Sequence, residues 1–304
     1  FVIAKSGRPG PVLIDIPKDI QTGEAEFNKK EYLNSKPFQK FNPDDIEKAV
    51  KMIDESKRPF IYCGGGVVAS GASRETLKFA EKIDAPIGLS MMGLSAIPAS
   101  DKRNLGMVGM HGRYAAIKAK SEADLVLALG VRFSDRATGN KKAYIPKANI
   151  IHFDIDTAEI DKNISTTLGI VGNVKEVLDA LIPRLEKKHN REWQQEIEKL
   201  KIFESRHSIN KADGLTPYKI IECVSRYTKP STPIATDVGQ HQMWVAQSYK
   251  FMKPRTFITS GGLGTMGFGM GGAIGACIAS GERTVLFTGD GSFGMNLNEI
   301  ATAV

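Results

Sequence analysis

Ala123-Asp124-Leu125-Val126-Leu127-Ala128-Leu129-Gly130 and Asn149-Ile150-Ile151-His152-Phe153-Asp154-Ile155 are short, nearly continuous apolar runs, each ended by a glycine or an acid. Neither alternates polar with apolar residues, so each predicts a strand covered on both faces, as in a parallel sheet flanked by helices. Pro59-Phe60-Ile61-Tyr62-Cys63 and Ala85-Pro86-Ile87-Gly88-Leu89 are two more strand segments. Helices are expected between them. Asn42-Pro43-Asp44-Asp45 starts one that reaches Ile53, with proline in the first turn and acids facing the helix dipole. Ser73 to Ile83 forms another, and Asn173 caps a third that runs to about residue 187. Alternating strands and helices over 43–187 predict a doubly wound α/β domain.

Outward from that domain, Gly10-Pro11-Val12-Leu13-Ile14-Asp15-Ile16-Pro17 is expected to be a short buried strand, within an end of another domain spanning 1–20. Residues 21–42 are polar and predict a linker, and the charged stretch 188–214 predicts a second connecting segment rather than core. From 215 a further α/β unit begins, with a helix capped by Thr216-Pro217, strands Pro233-Ile234-Ala235-Thr236 and Thr284-Val285-Leu286-Phe287-Thr288, and a helix starting at Leu297. The chain starts without methionine and stops within that helix, so an internal fragment of a longer protein is expected.

Composition narrows the function classes. The 304 residues carry a net charge of +7, with 41% hydrophobic and 25% charged residues, as in an ordinary globular chain. The excess lysines are scattered among acids without interleaved aromatics, which argues against nucleic acid. Cys63, Cys223 and Cys277 are too few and too widely spaced for a disulfide scaffold or a cysteine zinc site, and fit a reducing cytoplasm. Gly261 to Gly281 is uncharged and long enough to span a bilayer, but its glycines make transfer into lipid poor, so a tightly packed helix after a turn is expected, with no membrane contact.

Three glycine-bearing segments carry chemistry. Thr288-Gly289-Asp290-Gly291-Ser292-Phe293 stands between a strand and a helix, where backbone N–H groups approach a phosphate and Asp290 can hold a divalent cation. Taken alone, Gly-Asp-Gly is more often a plain turn. Thr259-Ser260-Gly261-Gly262-Leu263-Gly264-Thr265-Met266-Gly267 lets a flat ligand come close to backbone, although tight helix packing explains it equally well. Asp237-Val238-Gly239-Gln240-His241-Gln242-Met243-Trp244 follows a strand, where α/β ligand sites form. A lone histidine is usually structural. Gly64-Gly65-Gly66 suggests a nicotinamide loop, but Ala69 occupies the third glycine's place and argues against a dehydrogenase.

In this order and spacing the three segments resemble thiamine-diphosphate enzymes. Val-Gly-Gln-His-Gln-Met-Trp followed by Thr-Ser-Gly-Gly-Leu-Gly-Thr-Met-Gly is similar to the catalytic large subunits of acetohydroxyacid synthase, also called acetolactate synthase. The resemblance spans the whole chain. It implies that 1–20 ends an N-terminal pyrimidine-binding domain, that 43–187 is a central FAD-binding domain, and that 215–304 begins the diphosphate-binding domain.

It further implies thiamine diphosphate held by Val238, Gly239, Gln240, His241, Gly264, Met266, Gly289, Asp290, Gly291, Ser292 and Met295, with Asp290 the Mg²⁺ ligand. A structural FAD is implied at Arg8, Gly64, Gly65, Gly66, Ser90, Met91, Met110, His111, Gly130, Arg132, Arg136, Asp154, Ile155, Asn173, Gln242, Gly261 and Gly262. Arg136 is also the candidate partner of the second substrate's carboxylate. Ser134 and Asn173 stand where the family has aspartates, and Met270-Gly271-Gly272-Ala273 replaces Leu-Pro-Ala-Ala.

The implied reaction decarboxylates pyruvate and joins the remaining two carbons to a second 2-oxo acid, giving 2-acetolactate or 2-aceto-2-hydroxybutyrate. The partners implied are 2-oxo acids, further copies of the large subunit in a dimer or tetramer, and a small regulatory subunit. The family's catalytic glutamate is expected before Phe1, so no complete catalytic set is expected within the chain. The alternatives are another thiamine-diphosphate decarboxylase or carboligase, or an inert cofactor-binding piece.

Overall fold

The computed structural model describes residues 2–28, 41–141, 144, 145, 147–207 and 214–304. Parts of both expected linkers, 29–40 and 208–213, lie outside the described residues. Two short helices come first, α1 (Val2–Lys5) and α2 (Lys18–Thr22). Between them Gly10–Pro17 pairs with no strand, and Leu13 and Ile14 are 88% and 78% exposed. This corrects the expected buried strand. An apolar run becomes one only when a neighbour offers ladder partners and cover, and no described residue supplies either here.

The first unit runs α3 (Pro43–Glu55), β1 (Pro59–Cys63), α4 (Gly65–Ser70), α5 (Ser73–Lys82), β2 (Ile87–Leu89), β3 (Asn104–Met107), α6 (Tyr114–Glu122), β4 (Leu125–Leu129), α7 (Asp135–Thr138), β5 (Asn149–Asp154), β6 (Leu168–Val171), α8 (Val174–Leu181) and α9 (Arg191–Arg206). Its strands form one parallel sheet in the order β3-β2-β1-β4-β5-β6. Every residue of β1 and β4 is buried, as runs apolar on both faces require. The Asn42 side chain accepts the Asp44 N–H, and Asn173 accepts that of Lys175, so both expected caps form. Ile46, Ala49 and Ile53 of α3 join Val174, Val177, Leu178 and Leu181 of α8 in one core on this face.

The stretch expected only to connect carries α9, whose Trp193 and Ile197 are buried in the core on the opposite face. The Trp193 indole donates to the Pro59 carbonyl at 3.0 Å. A helix charged on most of its surface hides a short apolar stripe, which correctly counts as core.

The second unit comprises α10 (Pro217–Tyr227), β7 (Ile234–Thr236), α11 (Gln240–Ser248), β8 (Phe257–Thr259), α12 (Phe268–Ser280), β9 (Val285–Phe287), α13 (Asp290–Met295) and α14 (Ile300–Ala303). Its three strands are parallel in the order β8-β7-β9. Thr216 caps α10 by accepting the Lys219 N–H. The uncharged run 261–281 divides into a turn and the thirteen-residue α12. Among the described residues no helix is long and apolar enough to cross a membrane. The two units touch where Ala99 N–H donates to Phe251 O, Gln247 to His111 O and Arg255 to Ala69 O.

Candidate functional site

The carboxyl ends of β7, β8 and β9 lie side by side, so the three turns that follow them converge. Asp237, the first residue after β7, binds them together. Its buried carboxylate accepts N–H groups from Val238 at 3.0 Å, Gly267 at 2.9 Å and Gly269 at 3.1 Å. Gly267 and Gly269 stand at the start of α12, where backbone N–H groups lack helical partners and favour a negative charge. Gly269 has to be glycine, because a Cβ there would run into the Asp237 carboxylate and Leu286.

The turn after β9 is fastened to the others by α13. Ser292 Oγ donates to Val238 O at 3.3 Å, and the Asn296 amide donates to Gly267 O. Met266 lies beside Gly291, and Met295 beside Gly267. Val238 approaches Gly264. Gln240 opens α11 directly after Gly239. Asp290 opens α13 directly after Gly289, with its carboxylate exposed and without an ion-pair partner among the described residues. The structure thus brings all eleven residues assigned to thiamine diphosphate into one group.

His241 sits at its centre. The half-buried ring turns its Nδ1–Cε1 edge toward both Gly239 and Gly289, and its Nε2 is buried with no hydrogen-bond partner. Burial pushes the imidazole below its ordinary pKa, opposed by Asp237, so the neutral ring prevails at pH 7. An orphaned buried nitrogen on a ring whose other edge is bordered by two glycines fits a polar ligand lying across these turns. Met266 and Met295 add apolar surface there, 44% and 56% exposed. Among the described residues no three histidine, cysteine or acidic side chains gather as a metal cage. A cation here would take Asp290 together with oxygens of the ligand.

The residues assigned to FAD fall into separate places. Gly261 lies against Met91 and Met92, and Gly262 near the exposed Arg132 guanidinium, so this turn faces the first unit. Gln242 holds the turn from behind, donating to Thr259 Oγ1 at 2.7 Å. Ser90 caps the 3₁₀ turn Met91–Gly93. Met110 N–H donates to Arg136 O, while the Arg136 side chain stays exposed with Asp135 as its partner at 3.8 Å. The His111 carbonyl accepts from Gln247 of α11.

A second place lies at the end of β5, where Asp154 accepts the Asp156 N–H and Ile155 follows. Arg8 reaches that end through Glu159 at 3.2 Å and Asp156 at 3.7 Å. Three glycines are spent within the fold. Gly64 and Gly66 press against Gly130 so closely that a Cβ on any of them would strike backbone, and Gly66 N–H donates to Gly130 O. Gly65 packs on Met92. The Asn173 side chain is occupied as the α8 cap.

Sequence reasoning assigned no role to Asp237, Asn296 or Met92. The signal for Asp237 was an acid directly after a strand; its partners lie about thirty residues downstream, a separation no local pattern reveals.

Residues 46–181 match the family description "Thiamine pyrophosphate enzyme, central domain", and 237–304 match "Thiamine pyrophosphate enzyme, C-terminal TPP binding domain". The chain is 43% identical over 313 residues to the acetolactate synthase large subunit of Buchnera aphidicola subsp. Schizaphis graminum, aligning along 100% of this chain and 55% of that protein. It is 45% identical over 306 residues to the acetolactate synthase isozyme 1 large subunit of Escherichia coli K12, covering 100% of this chain and 54% of that one. Acetolactate synthase 2, chloroplastic, of Nicotiana tabacum is 42% identical over 315 residues, with 99% of this chain and 47% of the plant protein covered. The chain therefore spans about half the length of the curated relatives it matches.

Proposed function

The chain belongs to the thiamine pyrophosphate enzymes, and on that premise we propose that it is the central and diphosphate-binding part of an acetolactate synthase large subunit. The observation that carries the reading is the convergence of the three turns around His241 and Asp290, each with the glycines and side chains of the acetolactate synthase pattern. The reaction proposed is decarboxylation of pyruvate and transfer of the two-carbon remainder to a second 2-oxo acid, in branched-chain amino-acid synthesis. Thiamine diphosphate, when bound, supplies the carbon nucleophile and the electron sink that loss of CO₂ requires.

This chain's own residues position and polarise. Asp290 would hold Mg²⁺ against the diphosphate, and the backbone N–H groups of Gly289, Gly291 and Ser292 would face its oxygens. Neutral His241 would offer a ring nitrogen to the cofactor without adding a charge. Met266 would fill the space beneath it, and Asp237 would keep Val238 and Gly267 in place. Arg136, exposed and loosely paired, is free to take the carboxylate of the second 2-oxo acid as a planar fork.

FAD would lie between the units. Met91, Arg132 and Gly261–Gly262 would support its flavin ring, and Asp154 with Arg8 would face its adenosine end. Gly64, Gly66 and Gly130 would serve it indirectly, by shaping the loops. The name "large subunit" carried by the relatives supports a small regulatory partner, and the three unpaired cysteines support a reducing compartment such as the cytoplasm.

Calorimetric titration with thiamine diphosphate tests the reading. Saturable binding that needs Mg²⁺, and that weakens about tenfold or more in Asp290→Asn, is expected. Binding indifferent to both the metal and this substitution would overturn it.

A further inference from the structure

A cleft of about 590 Å³ opens between the two units, away from the turns just described. Its walls are α5, the loop that leads into β3, and the Pro254–Arg255 turn before β8. It lies at the opposite ends of α4 and β8 from Gly64–Gly66 and Gly261–Gly262, so it shares no residue with the candidate cofactor site.

The floor is apolar, with Leu77, Pro98 and Pro254, and the rim carries Arg74, Lys78, Arg103 and Arg255 against Asp101 and Glu81. The cations exceed the acids and are poorly matched to them. Arg74 and Lys78 are exposed one turn apart on α5, with no carboxylate in ion-pair range among the described residues. Like charges at that spacing repel unless an anion lies between them. The Arg255 guanidinium donates to the Ala69 carbonyl at 3.0 Å, and the residue holds φ +62, a left-handed conformation uncommon for a side-chain-bearing residue. Arg103 meets Asp101 at 3.5 Å, but that carboxylate already accepts the Arg103 backbone N–H at 2.8 Å, and Arg103 Nε is buried without a partner.

We propose that this cleft binds a small organic anion with an apolar body, its charge received by Arg74, Lys78, Arg103 and Arg255 and its body laid on Leu77, Pro98 and Pro254. Arg74, Lys78 and Arg255, without carboxylate partners among the described residues, and Arg103, shared with Asp101, stand around an apolar floor and match such an anion in both charge and shape. Because Pro254 and Arg255 come from the second unit and the other walls from the first, an occupant bridges the two.

The test is a titration of the chain with 2-naphthoate, followed by fluorescence polarisation, with the neutral 2-naphthalenemethanol as control. One saturable site is expected for the anion and none for the alcohol. The double variant Arg74→Glu/Lys78→Glu, altered only at exposed helix positions, is expected to weaken binding by about tenfold or more. Glu81→Gln is expected to strengthen it. Absence of saturable binding, equal binding of the alcohol, or an affinity unmoved by the double variant in a chain with unchanged thermal midpoint would overturn the proposal. Asp290→Asn, expected to leave naphthoate binding intact, separates this site from the thiamine diphosphate site.

Discussion

The two sheets are built on one plan and finished differently. In the six-stranded sheet β1 and β4 are buried at every residue, and helices cover both faces, α3 and α8 on one and α6 and α9 on the other. In the three-stranded sheet only β7 is buried throughout; β9 is half-buried at all three residues, and the uncharged α12 leaves Ile278 78% exposed. Buried Ile221, Ile234, Val245 and Phe251 of the second unit continue the core of the first, and Asp237, Ser292 and Asn296 tie its turns together at the strand ends. Among the described residues the six-stranded sheet is thus the more fully covered, and the three-stranded one carries the turns proposed to hold a ligand.

The largest effect that would break this comparison is a charge in each sheet's apolar surface. Leu127→Asp, at the fully buried centre of β4, is expected to cost on the order of 4 kcal/mol and to abolish cooperative unfolding. Ile278→Asp on α12 is expected to stay within about 0.5 kcal/mol and to improve solubility. Denaturant titration distinguishes them, and equal losses would show that α12 is covered as tightly as the first core.

Asp237→Ala comes next. It leaves three backbone N–H groups without their acceptor, and a loss of about 2–3 kcal/mol is expected, together with weaker thiamine diphosphate binding. Unchanged binding would place the stability of the turns elsewhere.

A smaller effect sharpens the picture of the first core. Lys120 is buried beside the Tyr144 ring, 4.0 Å from its centroid, and burial lowers its pKa to about 8. The native state thus disfavours the ammonium. That cost is present in full below pH 8 and fades as pH rises towards the ordinary lysine value of 10.5. Lys120→Met is therefore expected to raise the thermal midpoint at pH 7, with the gain shrinking above pH 8. A lowered midpoint would mean that the contact with Tyr144 outweighs the burial cost.

The sequence announces what local patterning governs. The runs around Leu127 and Ile151 predict a sheet buried on both faces, and Asn42, Asn173 and Thr216 mark helix starts, because strand burial and capping are set within a few residues. It conceals what depends on distant cover. Asn104–Met107 and Leu168–Val171 are edge strands too short and too mixed to stand out. Gly10–Pro17 has a strand's composition but no described partner. Trp193 is hidden in a charged helix, and its burial becomes visible only beside Pro59. The candidate site divides in the same way. Glycines and Asp290 are readable as motifs, whereas the work of Asp237 and Asn296 depends on three turns meeting in space.

Hydrogen–deuterium exchange, measured with and without thiamine diphosphate and Mg²⁺, tests most directly whether those turns form one site on a fixed scaffold. The account predicts that residues 237–241, 261–267 and 289–295 gain protection together, while β1 and β4 are strongly protected in both states. Protection confined to one turn, or gained mainly by β1 and β4, would contradict it.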